Sequence, residues 1–214
     1  MKVLVVGANG QIGRHFVKLL SDDPDHTPIA MIRNEEQISF FNSLNVESVL
    51  VSLEDSVKDI AGAMNGCDAV VFTAGSGGST GADKTLLIDL DGAAKTIEAA
   101  QQTGTDRFLM VSAIHADRRE QWGEEIAPYY VAKHHADNIL RSSGLAYTII
   151  RPGALTNDPG TGKIKAGENL ERGSIPREDV AVVLYNALTN DHLSAKTFEI
   201  VAGDDDIAAA LNRL

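Results

Sequence analysis

The sequence predicts a three-layer α/β sandwich, a doubly wound parallel sheet with helices on both faces. Three observations carry this. Short β-branched apolar runs alternate with amphipathic helical segments along most of the 214 residues. The runs are continuously apolar rather than alternating, as expected of strands buried on both faces. The first run passes through a glycine-rich turn straight into a helix. The expected strand order is 3-2-1-4-5-6, with a seventh strand near Thr197–Val201.

The elements follow in order. Val3–Val6 is the first strand. Ile12, Phe16, Leu19 and Leu20 fall at helical spacing, so Gln11–Leu20 reads as the first helix. Pro28–Ile32 and Ser48–Val51 are the second and third strands, and Ala69–Phe72 follows the Asn65-Gly66 turn as the fourth. A Gly/Ser-rich loop, Gly75–Gly81, leads into one long helix over about Asp83–Gln101. Phe108–Val111 is the fifth strand. Pro128 suits the first turn of a helix running to Arg141, and Gly144 follows its end. Ala146–Ile150 is the sixth strand. Val180, Val183, Leu184, Ala187 and Leu188 mark a further helix, and Ile207–Leu211 a short terminal one. No composition shift marks a domain boundary, so residues 1–214 read as a single domain. Segment 154–175 is Gly-rich and aperiodic, and reads as a loop or small cap on the substrate side.

Composition narrows the partners. The formal net charge is −11, which argues against coating nucleic acid, since phosphate binding runs on Lys and Arg. No apolar stretch reaches the roughly 20 residues of a membrane helix, and Val3–Val6 is too short for a signal-peptide core. The one cysteine, Cys67, can form no intrachain disulfide, which suits a reducing cytoplasm. Neither CxxC nor HExxH occurs, so no metal site is expected. The expected partner is a small molecule, and monomer and homo-oligomer stay equally open.

Gly7-Ala8-Asn9-Gly10-Gln11-Ile12-Gly13 carries the clearest chemistry. Gly7 permits a tight turn, Gly10 lets backbone approach a pyrophosphate, and Gly13 lets the helix pack on the strand. Free N–H groups at the helix start favour an anion. A bare glycine turn is the alternative, and the strand–turn–helix context argues against it. After the second strand, where an NAD site places Asp or Glu, this chain has Arg33. A guanidinium can fork onto a 2′-phosphate, and Arg14 could reinforce it, so NADP(H) is expected over NAD(H). The plain alternative is a solvated surface arginine. Gly160-Thr161-Gly162-Lys163 mimics the end of a P-loop, but Ile164 replaces the required Ser or Thr.

Tyr129 and Lys133 lie one helical turn apart on one face. By itself Tyr-x-x-x-Lys is common, and a solvated helix flank would explain it. In combination with Gly7-x-x-Gly10-x-x-Gly13, Arg33, Ser52-Leu53-Glu54, Thr73-Ala74-Gly75, Asp89-x-x-Gly92, Val111-Ser112 and Arg151-Pro152-Gly153, it makes the chain resemble the short-chain dehydrogenase/reductase superfamily over nearly its whole length. The stretch after Arg151 is too short for the large substrate domain of extended members. The resemblance is therefore to the atypical, single-domain subgroup, with flavin- and biliverdin-reductase-like and epimerase-like members and a Rossmann-like fold.

The resemblance implies roles. Tyr129 would be the general acid or base at the substrate carbonyl. Lys133 would bind the nicotinamide ribose and lower the Tyr129 pKa, as a neighbouring cation stabilises a phenolate. Ser52 and Leu53 would meet the adenosine end, Ala74 and Gly75 would pass under the ribose and pyrophosphate, and Pro152 and Gly153 would bound the nicotinamide. Two positions depart from the pattern. The superfamily's catalytic Asn falls on Asp89, and its catalytic hydroxyl falls on Ile114, with Ser112 offset toward the strand. The expected function is an NADP(H)-dependent oxidoreductase acting on a small carbonyl or conjugated acceptor. The alternatives are a non-catalytic NADP(H)-binding regulatory or redox-sensing protein and, more weakly, an NAD(P)-dependent epimerase. His115 could substitute as a proton donor, although an ordinary loop histidine is the favoured reading. Trp122 could line the pocket or simply be buried, and Asp83 and Lys84 could rim the cleft, Asp83 being equally a helix-start acid.

Overall fold

The computed structural model describes residues 1–77 and 80–214. Gly78 and Ser79 of the expected glycine loop lie outside the described residues. The chain runs β1 (Lys2–Val6), α1 (Gln11–Ser21), β2 (Thr27–Ile32), α2 (Ile38–Asn42), β3 (Glu47–Leu50), α3 (Val57–Ala63) and β4 (Ala69–Phe72). It continues through α4 (Ala82–Lys84), a π-helix (Thr85–Asp91), α5 (Gly92–Thr103), β5 (Arg107–Val111), α6 (Ala127–Arg141) and β6 (Ala146–Pro152). Then follow β7 (Ala154–Thr156), β8 (Lys163–Gly167), β9 (Ser174–Pro176), α7 (Arg177–Leu188), β10 (Lys196–Ala202), β11 (Asp205–Asp206) and α8 (Ile207–Leu211).

The main sheet is ordered β11-β8-β10-β6-β5-β4-β1-β2-β3. It is parallel from β3 to β10, and β8 runs antiparallel beside β10. The 3-2-1-4-5-6 order expected from the sequence is present, and the strand expected near Thr197–Val201 is β10. This is a Rossmann-like α/β fold.

Strand alternation sorts the core into two layers. Val3 and Val5 pack on one face with Phe16 and Leu20 of α1 and with Val180 and Leu184 of α7. Leu4 and Val6 pack on the other with Ile60 of α3, Ile97 of α5 and Leu140 of α6. All of these side chains are closed from solvent or nearly so. Each contributes about 1.5–3 kcal/mol through burial. The centre of the sheet is thereby held rigidly, and the loops at the carboxyl ends of β1, β4 and β5 are fixed in place.

The structure adds elements for which the sequence raises no expectation, corrects one helix, and gives segment 154–175, expected as a loop or small cap, strands of its own. Segment 57–63 is helical and starts with a capping box, in which Ser56 accepts from the Asp59 N–H and Asp59 answers at the Ser56 N–H. The single long helix expected over Asp83–Gln101 is broken into α4, the π-helix and α5. Segment 154–175 is not a plain loop: β7 pairs with β9, and β8 adds to the main sheet.

Candidate functional site

The β1–α1 turn is shaped by close packing. Gly7 has φ +82, and a Cβ there would come within 2.6 Å of the Ala74 nitrogen in the loop after β4. A Cβ on Gly13 would strike the Gly7 carbonyl at 2.3 Å. The two glycines therefore let β1, α1 and the β4 loop meet backbone to backbone. Gly10 has only the Gly7 carbonyl near its missing Cβ, at 3.1 Å. The first N–H groups of α1, on Gln11 and Ile12, have no acceptor among the described residues. The residues present fit a dinucleotide phosphate: free donors, a helix start and no side chain in the way.

Two adjoining cavities open along this edge of the sheet. The first, of about 360 Å³, is walled by Gly7, Asn9, Arg33, Ser52, Leu53 and Lys84. The second, of about 600 Å³, is walled by Gln11, Ile12, Asp89, Ser112, Tyr129 and Lys133. Gly10, Thr73, Ala74, Gly75, Ser76 and Thr80 line both, so the two form one crevice. The two halves flank the glycine turn.

In the first cavity the Arg33 side chain is exposed and forms no ion pair among the described residues. Arg14 does not line the wall. Its Nη2 donates to Asn9 Oδ1 at 2.6 Å, and its guanidinium lies 4.4 Å from the centre of the Phe40 ring. It therefore props Asn9, which does line the wall. Lys84 pairs with Glu54 at 2.7 Å across the rim. Leu53 sits where Gly92 leaves space, since a Cβ there would come within 3.1 Å of it.

The second cavity is built on α6, β5 and the π-helix. Tyr129 is half-buried, and its hydroxyl makes no hydrogen bond among the described residues. Lys133 is buried, with Nζ 5.6 Å from the Tyr129 ring centre and donating to the Val111 carbonyl at 3.3 Å. Asp89 is buried too. Its Oδ1 lies 3.1 Å from Lys133 Nζ, and its Oδ2 accepts from the Ser76 N–H at 2.9 Å. The π-helix widens the turn that carries Asp89, a local irregularity that recurs at functional sites. The Ser112 side chain lines the cavity wall, and its hydroxyl helps stabilise the buried Asp137 carboxyl against the upward push of burial. Ile114, at the usual hydroxyl position, is buried against Leu170 and Val201.

Electrostatics corrects one expectation. Burial raises the Tyr129 pKa, and the Lys133 cation only partly pulls it back, while Asp89 pushes it further up. Lys133 does stabilise the phenolate, as expected, but burial outweighs it and Asp89 adds to the upward push, so the net shift is upward. Lys133 itself is disfavoured as a cation by burial. Tyr129 and Asp89 outweigh that and hold its pKa above the ordinary lysine value. At neutral pH the pair is a neutral phenol beside an ammonium.

Other sequence candidates fall elsewhere. Pro152 and Gly153 line neither cavity. Gly153 instead packs against Gly173, whose carbonyl a Cβ would strike at 2.3 Å, and the residue of that segment that reaches the cavity is Leu155. His115 is buried with φ +62, and its Nε2 bonds the Leu170 carbonyl at 2.8 Å. Trp122 stacks on Tyr130 and donates to the His115 carbonyl. Both residues brace loops. The P-loop mimic is occupied from within, since Asp179 accepts from the Thr161 and Gly162 N–H groups at 2.9 and 2.8 Å. Sequence reasoning missed Arg177, at the start of α7, which also lines the second cavity.

Comparison with known proteins agrees with this geometry. The model of the NAD(P)H-binding family matches residues 7–191. The chain is 56% identical to an uncharacterized sugar epimerase, YhfK, of Bacillus subtilis, over 100% of both chains. A Bacillus halodurans structure, named provisionally as an NAD-dependent epimerase/dehydratase, superposes with a TM-score of 0.95 at 43% identity, covering 100% of each chain. The oxidoreductase ylbE of Lactococcus lactis superposes at 0.91 with 33% identity, over 100% of this chain and 96% of that one. With its glycine turn, its two-part crevice and these likenesses, the chain belongs to the NAD(P)H-binding family.

Proposed function

We propose that the protein is an NADP(H)-dependent oxidoreductase that reduces a small carbonyl or conjugated acceptor. The observation that carries this is the Tyr129 and Lys133 pair, set in a cavity continuous with the phosphate turn. When bound, the nicotinamide supplies the hydride that the acceptor carbon gains. The other half of the reaction belongs to the chain. Tyr129, kept protonated by burial, gives its phenolic proton to the carbonyl oxygen. Lys133 stabilises the phenolate that forms, and it is oriented by Asp89 and the Val111 carbonyl. The Ser112 hydroxyl, in the wall of the same cavity, would donate to the same oxygen and polarise the bond. Arg33, exposed and without a carboxylate partner, supports a preference for the 2′-phosphate.

The epimerase reading gains support from the name of the Bacillus subtilis relative. It uses the same Tyr129 and Lys133 chemistry, with transient oxidation and no net consumption of cofactor. The sensor reading rests on the altered Asp89 and Ile114 positions. One experiment separates the three: NADPH consumption across a carbonyl and quinone panel, for wild type and Tyr129→Phe. Steady consumption that is lost in the variant supports the reductase. Tight binding without turnover on the panel supports the sensor. Turnover of a sugar substrate with the cofactor oxidised at the end supports the epimerase.

A further inference from the structure

We propose that Arg177 is the group in the second cavity that recognises an anion, so that the acceptor bound there carries a carboxylate. The inference rests on the reading above that this cavity is the substrate end of the crevice.

Strand register puts the arginine in place. Thr156 of β7 is paired with Pro176 of β9, so the next residues, Asn157 and Arg177, leave the small sheet side by side. Arg177 Nη1 donates to Asn157 Oδ1 at 2.7 Å. That partner is neutral. It fixes the guanidinium without consuming its charge and leaves Nε and Nη2 free of hydrogen bonds among the described residues. A planar fork with free donors matches a carboxylate.

The neighbouring acids are engaged elsewhere. Glu178 accepts from the Gly160 N–H, and Asp179 from the Thr161 and Gly162 N–H groups. Among the described residues Arg177 therefore forms no ion pair, although it is half-buried in a chain of net charge −11. Within the same cavity, Lys133 is already matched by Asp89. The other acid of the wall, Glu125, forms no ion pair among the described residues and is not paired with Arg177, so Arg177 is the cation of the wall without a carboxylate partner. In so acidic a protein the long-range field disfavours an anionic ligand. A local unpaired guanidinium reverses that at one spot. Arg177 lines only the second cavity and not the one that holds Arg33, which separates it from the ribose 2′-phosphate. The cofactor pyrophosphate already has the free amides of α1.

The test uses a panel of carbonyl acids, each paired with its methyl ester, titrated into the NADPH-saturated protein while the fluorescence of bound NADPH is followed. Wild type is expected to bind the acids about tenfold or more tightly than the esters. Arg177→Gln is expected to lose that preference, Arg177→Lys to keep part of it, and both to keep the wild-type affinity for NADPH. No acid preference in wild type, or a preference intact in Arg177→Gln, overturns the proposal. A loss of about tenfold in NADPH affinity in Arg177→Gln also overturns it, by assigning the guanidinium to the cofactor pyrophosphate. Because the readout is binding, the oxidoreductase reading can fail separately. Acid preference without turnover of any compound would sink that reading and leave this one standing.

Discussion

Lys133 Nζ lies 3.1 Å from Asp89 Oδ1, with both side chains closed from solvent. In this chain an acid occupies the position where the superfamily pattern resembled by the sequence has an amide. Burial raises the Tyr129 phenol, and the lysine charge, shared with Asp89, does not pull it back below the ordinary tyrosine value. The arrangement favours a proton donor over a resting phenolate.

Asp89→Asn tests that sharing. Leaving Lys133 buried without its counter-charge is expected to cost about 3 kcal/mol, read by denaturant unfolding. The freed cation should also lower the Tyr129 pKa, so the alkaline limb of the pH–rate profile should move to lower pH. A limb that stays in place would mean that Asp89 does not act on Tyr129.

The wild-type profile itself follows from the direction of the shift. With the phenol pKa raised, the proton donor is fully present below the ordinary tyrosine value of about 10 and is lost only as pH rises through the higher folded value. Reduction should therefore stay flat across neutral pH and fall only on the strongly alkaline side. An apparent pKa near neutrality for kcat/KM would contradict a Tyr129 acid.

Arg33→Ala should weaken NADPH binding by about tenfold or more, the scale of a lost charge-assisted contact, and leave NADH nearly unchanged. Titration calorimetry with both nucleotides reads this. An unchanged ratio of the two dissociation constants would remove Arg33 from the specificity argument.

The glycine turn separates folding from binding. Gly13→Ala puts a Cβ 2.3 Å from the Gly7 carbonyl and should destabilise the fold by about 1–3 kcal/mol or more. Gly10→Ala meets only that carbonyl, at 3.1 Å, and should melt close to wild type. It nevertheless intrudes where the dinucleotide phosphates would pass, so its NADPH affinity should fall sharply. Equal melting temperatures for the two variants would show that the packing argument is wrong.

Much of this was legible in the sequence because it is local. The glycine turn declares itself by following an apolar strand and opening a helix. Strands β1, β4 and β5 read as continuous apolar runs because both of their faces are covered. The Tyr129 and Lys133 spacing is a helical spacing, and one helix carries both residues. What stayed hidden depends on tertiary pairing. Arg177 reaches the cavity only because β7 pairs with β9, inside a segment with no periodic pattern. The π-helix around Asp89 shifts register without changing the apolar pattern, so the sequence read as one long helix. Pro152 and Gly153 follow a familiar order of residues, but close packing against Gly173 turns that stretch away from the cavity and presents Leu155 instead.

The central claim is that the crevice brings the nicotinamide and an acceptor together over Tyr129. Its most direct test is isotopic: NADPH deuterated at the reactive nicotinamide carbon, supplied with acceptors from the carbonyl panel, and the products analysed by mass spectrometry. The account expects deuterium bound to product carbon with wild type, and a rate at least about a hundredfold lower with Tyr129→Phe at unchanged NADPH affinity. Tight NADPH binding with no deuterium in any product, or deuterium transfer as fast in Tyr129→Phe as in wild type, would contradict it.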